Sequence, residues 1–187
     1  MMSIIQEFLP YVSKNICWDL QLDKIEGFSD EQIKQYCKSL NIEAYGELHT
    51  WLKTFGKCSG GLFTSDEYFL YRKRIDNSAN NINLKSFGEL NIAWQNDLID
   101  MGVLTKQDVI EKKPYIFECY NETHYYIIYT TDLTPMVWYY CDGDGSYQCT
   151  GKTFFKHLKD RLTTLKCSDG NWLDHLSLLE ISTSRLF

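Results

Sequence analysis

An α+β fold is the architecture this sequence predicts: N-terminal helices packed with a twisted, largely antiparallel sheet from the second half of the chain, then C-terminal helices. Three observations carry that expectation. Before residue 114 apolar side chains recur at helical spacing, as in Leu48, Trp51, Leu52 and Phe55. From Tyr115 to Tyr140 the pattern changes to short runs of aromatic and β-branched residues, which suit a pleated, half-buried surface. Helical spacing then returns at Phe154, Phe155, Leu158, Leu162 and Leu165. With 187 residues and 44% hydrophobic content, the chain suits one domain over residues 1-187, with 1-27 as an N-terminal helical extension.

Ile4, Ile5, Phe8 and Leu9 have helical spacing, but Pro10 lacks the N–H that a helix interior needs, so the helix is divided or kinked there. Ser29 and Gln32 form a capping box ahead of Ile33, Cys37 and Leu40, predicting a helix from about Asp30 to Leu40. The Leu48 to Phe55 helix is followed by Gly56, where a left-handed cap would sit. Gly56 to Gly61 lacks the Gly-Lys-Ser/Thr ending of a phosphate cradle and reads as a structural turn. Phe69 to Tyr71 suits a strand, Arg72 to Arg74 a solvated edge, and Asp76 to Asn83 a loop. Ser86 with Glu89 makes a second capping box for a stripe of Phe87, Leu90, Trp94, Leu98 and Met101 that ends at Gly102. Thr105 and Asp108 cap a short helix.

The sheet follows Pro114. Tyr115 to Tyr120 and Tyr125 to Thr130, separated by Asn121 to His124, form an antiparallel hairpin, and Pro135 opens a third strand through Tyr140. Asp142-Gly143-Asp144-Gly145-Ser146 has carboxylates at calcium-loop spacing, but Tyr147 stands where such a loop needs glycine and no Glu closes it. A hairpin turn is the expectation, with Tyr147 to Cys149 as a fourth strand, Thr150 capping the next helix and Asp169 a last one.

The net charge of -6 and pI near 5.2 disfavour direct nucleic-acid or anionic-membrane binding and favour a basic partner. Between Pro114 and Gly151 there are five acids, Glu118, Glu122, Asp132, Asp142 and Asp144, and no Lys or Arg. Cys17, Cys37, Cys58, Cys119, Cys141, Cys149 and Cys167 make an odd set without a C-x-x-C pair, as expected of reduced thiols in a cytoplasmic protein. No stretch of 18 apolar residues occurs, and the first residues lack the basic and apolar regions of a signal peptide. There is no H-E-x-x-H, G-x-S-x-G or His/Cys cluster at metal spacing, so no catalytic residue, cofactor or metal is expected. A Cys/His pair assembled only in space stays open as an enzymatic alternative.

Phe28-Ser29-Asp30-Glu31-Gln32-Ile33, the Leu48 to Phe55 helix with its Gly-rich turn, Tyr125-Tyr126-Ile127-Ile128, Pro135 to Tyr140, and Thr153 to Leu158 resemble, in sequence and order, the SMI1/KNR4 (SUKH) superfamily. Two features depart from its pattern: Ala44-Tyr45 stands where Leu-Pro is usual, and the N-terminal segment is additional. The resemblance implies a SUKH-like α+β domain. In bacteria it implies an immunity protein that neutralises a cognate toxin, often a nuclease; the alternative is a regulatory scaffold of the kind fungi use in cell-wall control.

An inhibitor of a basic nuclease gains association rate from uncompensated acids. Tyrosines, eight of whose thirteen lie between Tyr115 and Tyr147, supply interface area at low entropy cost. Glu118, Glu122, Asp132, Asp142, Asp144, Tyr126 and Tyr139 are therefore the expected partner contacts. The same residues also suit an ordinary sheet whose tyrosines pack on helices and whose acids solubilise hairpin ends.

Overall fold

The computed structural model describes residues 3–16, 19–57, 59–63, 87–120 and 123–164. Its helices are α1 (Ile4–Phe8), α2 (Asp30–Leu40), α3 (Gly46–Phe55), α4 (Phe87–Asp100), α5 (Lys106–Glu111) and α6 (Phe154–Thr164). Its strands are β1 (Pro114–Tyr120), β2 (His124–Tyr129), β3 (Met136–Cys141) and β4 (Ser146–Thr153), an antiparallel meander in the order β1-β2-β3-β4. The coarse α+β expectation holds. The strand at Phe69, the loop at Asp76, the box at Ser86 and the helix at Asp169 lie outside the described residues. Among the described residues, no helix is long and apolar enough to cross a membrane.

Local chemistry explains where the elements begin and end. α1 stops at Phe8 and the chain tightens into a 3₁₀ turn over Leu9–Tyr11, as Pro10 requires. Ser29 and Gln32 form the reciprocal box that starts α2, and Thr105 with Asp108 does the same for α5. Gly102, at φ +75, ends α4 in the left-handed conformation.

Two boundaries differ from the sequence expectation. Gly56 is right-handed, with φ -58. It is there for room: a Cβ would stand 2.5 Å from the Phe28 ring and 2.4 Å from the Leu52 carbonyl oxygen. Thr150 does not cap α6. It lies inside β4 and donates to the Val137 carbonyl at 2.8 Å, because the strand runs on to Thr153. The first turn of α6 is instead held by Thr153, whose hydroxyl accepts from Lys156 N–H, and by Glu47 of α3, whose carboxylate accepts from Phe155 N–H at 2.8 Å.

Both faces of the β1–β3 part of the sheet are covered, which is why those three strands read as nearly continuous apolar runs, whereas β4 is half-buried to exposed along its length. On one face Tyr115, Phe117, Ile128 and Val137 pack with Leu40 of α2, Trp51 and Phe55 of α3, and Phe154, Leu158 and Leu162 of α6. Phe8 is fully buried in this cluster, so the N-terminal segment contributes to the core. On the other face Ile116, Cys119, Tyr125, Ile127 and Tyr140 meet Trp94 and Leu98 of α4 and Leu104.

A bulge in β1 interrupts the alternation. Ile116 pairs with Ile127 and Glu118 with Tyr126, which leaves Phe117 as the extra residue. The following side chains change faces: Phe117 and Glu118 both reach His157 of α6, while Cys119 joins Ile116 on the opposite face. The outer edge of β1 is closed by α4. Asn91 donates to the Ile116 carbonyl at 2.9 Å and Gln95 to the Pro114 carbonyl at 2.7 Å; the two amides also bond each other, and both are buried.

Candidate functional site

The antiparallel order places the β1–β2 and β3–β4 connections at one end of the sheet and the β2–β3 connection at the other. The expected contact residues therefore separate. Asp142 and Asp144 occupy the exposed β3–β4 turn, while Asp132 is exposed at the opposite end. Glu122 lies outside the described residues. Glu118, expected on an acidic surface, is fully buried instead. The bulge turns it inward, where its carboxylate meets His157 Nε2 at 2.8 Å and the Arg161 guanidinium.

Tyr126 and Tyr139 stand half-buried over this ion cluster. Arg161 lies 5.5 Å from the centre of the Tyr126 ring, and His157 is 4.8 Å from it, centroid to centroid. Tyr126 packs on Tyr139, whose hydroxyl is 2.6 Å from His124 Nδ1. Burial pushes the Tyr139 phenol up, and its neighbours Cys141 and Asp144 push in the same direction. Hydrogen bonds from Ser146 hold the Asp144 carboxyl below its ordinary value, so it is ionised at neutral pH.

Topology adds two acids that the sequence reading missed. The Tyr140 hydroxyl lies 3.5 Å from Met101 Sδ and 3.4 Å from Asp142 Oδ1, so the end of α4 abuts the β3–β4 turn. The last turn of α4 bears Asp97 and Asp100, both exposed, and no basic residue. Helix C-termini carry partial negative charge and favour cations there. That local misfit was visible in the sequence. Among the described residues none of Asp97, Asp100, Asp142 and Asp144 forms a salt bridge, in contrast to Asp30, Asp108 and Asp160.

Comparison with protein-family models, with curated proteins and with solved structures finds no match for this chain. Among the described residues no three or more His, Cys, Asp or Glu side chains are grouped so as to hold a metal ion. What the site offers is an acidic end beside an aromatic patch backed by a buried ion cluster.

The His157 imidazole is pushed down to about 4 by its burial, with Lys152 acting in the same direction and Asp160 opposing. The Glu118 carboxylate alone would favour a charged ring, but the Arg161 guanidinium already neutralises it, and a neutral His157 donates Nε2–H to the other carboxylate oxygen. The unfolded histidine titrates near 6.5, so between pH 6.5 and 4 the unfolded chain binds a proton that the native one does not. Stability should fall as pH drops through that window. His157→Gln, which keeps a donor, should flatten this part of a melting-temperature profile; an unchanged slope would place the titration elsewhere.

Proposed function

We propose that this chain is a toxin-neutralising protein of the SMI1/KNR4 type, binding a basic protein and occluding it. A nuclease is the partner class that fits best, because a cleft built to hold phosphates is itself positively charged. The observation that carries the reading is the acidic end, with Asp97, Asp100, Asp142 and Asp144 exposed and not salt-bridged within the described residues. Two of these acids stand where the α4 dipole disfavours them, which is unhelpful for folding and useful for attracting a cation. Tyr126, Tyr139 and Arg161 are residue types that dominate interface energetics, and they are half-buried on the face adjoining Asp144. The resemblance in sequence points to the same class of activity.

Steering by this end has a kinetic signature. Asp142→Lys with Asp144→Lys changes the local charge by four units, two at each position. Association with the partner at low ionic strength should slow about tenfold or more and lose much of its salt dependence. The melting temperature should stay near that of the unaltered chain, since both residues are exposed. A folded variant that associates at the original rate would remove this end from the encounter surface.

A further inference from the structure

We infer that the β4 edge is a self-association surface, at which two copies of this chain pair antiparallel about a twofold axis through Gln148. The two edges of the sheet are treated differently. Along β1 the buried Asn91 and Gln95 amides occupy outward carbonyls and α4 packs over the strand. Along β4 no described element pairs with the outer side, and Gln148 and Cys149 are exposed. Exposed edges are usually defended by charge, proline or brevity. From Ser146 to Gly151 there is neither charge nor proline, and the strand runs for eight residues.

Nor is the edge frayed. Tyr147 stacks on Trp138 at 5.2 Å between centroids, and its hydroxyl meets that of Tyr129 at 2.6 Å, which fixes the middle of the strand before any partner arrives. Gly151, at φ +73, and the irregular pairing beyond Trp138 limit the flat stretch to Ser146–Thr150.

Charge selects a second copy as the occupant. The acids Asp142 and Asp144 precede this neutral stretch; Lys152 and Lys156 follow it and share Asp160 between them, which leaves that end with one net positive charge. An antiparallel copy centred on Gln148 puts Tyr147 opposite Cys149 of its mate and Ser146 opposite Thr150. It also brings Asp144 to the Lys152 end. No like charges face each other in this register, and the acidic end of each copy meets the basic end of the other. So short a contact belongs to the weak size class, with a Kd of about 10 μM or above.

Sedimentation velocity of the full chain up to about 200 μM should show a reversible monomer–dimer equilibrium at such affinities. Gln148→Lys places like charges on the axis and should leave a monomer with an unchanged melting temperature. Gln148→Cys in a Cys149→Ser background should form a disulfide to itself across the axis under diamide, since directly opposed Cα atoms stand about 4.5–5.5 Å apart. Ser146→Cys in that background should not, because its mate is Thr150. A chain that stays monomeric throughout, a Gln148→Lys variant that dimerises undiminished, or Ser146→Cys linking to itself as readily would each overturn the assignment. None of these readouts requires the toxin partner, so their failure and that of the proposed function are separable.

Discussion

Glu118→Ala should lower stability by about 3–5 kcal/mol, because it removes one side of a buried ion cluster and leaves the other side uncompensated. The carboxylate is wholly buried and serves both the His157 Nε2–H and the Arg161 guanidinium. Arg161 keeps 26% of its side chain exposed and can recover some hydration, which favours the lower part of that range. For a chain of this size the melting temperature should fall by about 10 °C. Asp132→Ala is the matched control: it removes an acid of the same segment that is exposed at the sheet end, and its effect should stay within about 0.5 kcal/mol. Equal melting curves for the two variants would mean that Glu118 is not held in the ion cluster.

Trp51→Ala should cost a similar amount for a different reason. Trp51 is 1% exposed and lies among the rings of Phe55, Phe63 and Phe154, at centroid separations of 6.0 to 6.4 Å. Truncation removes the largest side chain of the helix-covered core and leaves a cavity that three rigid rings cannot collapse to fill. The expected loss is about 3–5 kcal/mol, read as a lower denaturant midpoint at constant slope. A midpoint equal to that of the unaltered chain would take Trp51 out of the core.

These two residues mark what was legible in the sequence and what was not. Trp51 belongs to a helical stripe whose spacing announces its burial, and the boxes at Ser29 and Thr105 announce their helices through side chains three residues apart. Glu118 gave no such signal. Its burial depends on a bulge that shifts the strand's alternation, and on His157 and Arg161, which arrive from α6. The mistaken cap at Thr150 has a related cause: β4 continues through Gly151, a glycine inside the strand at a register shift in its pairing with β3.

The candidate site was legible in part. Asp142 and Asp144 were identifiable as turn residues, whereas Asp97 and Asp100 join them only because the meander brings the β3–β4 turn to the end of α4. Asn91 and Gln95 interrupt the apolar surface of α4 at a spacing of four residues. Such a buried amide pair has the right chemistry to close a sheet edge, but which edge it meets is decided by topology.

Protection of growth tests the central claim most directly. A basic toxin encoded beside this chain would be induced in cells that also carry either the unaltered chain or the Asp142→Lys, Asp144→Lys variant, with both proteins quantified. Growth should be restored by the unaltered chain and restored poorly by the folded, equally abundant variant. Full protection by that variant, or none by the unaltered chain against any adjacent toxic reading frame, would contradict neutralisation through the acidic end.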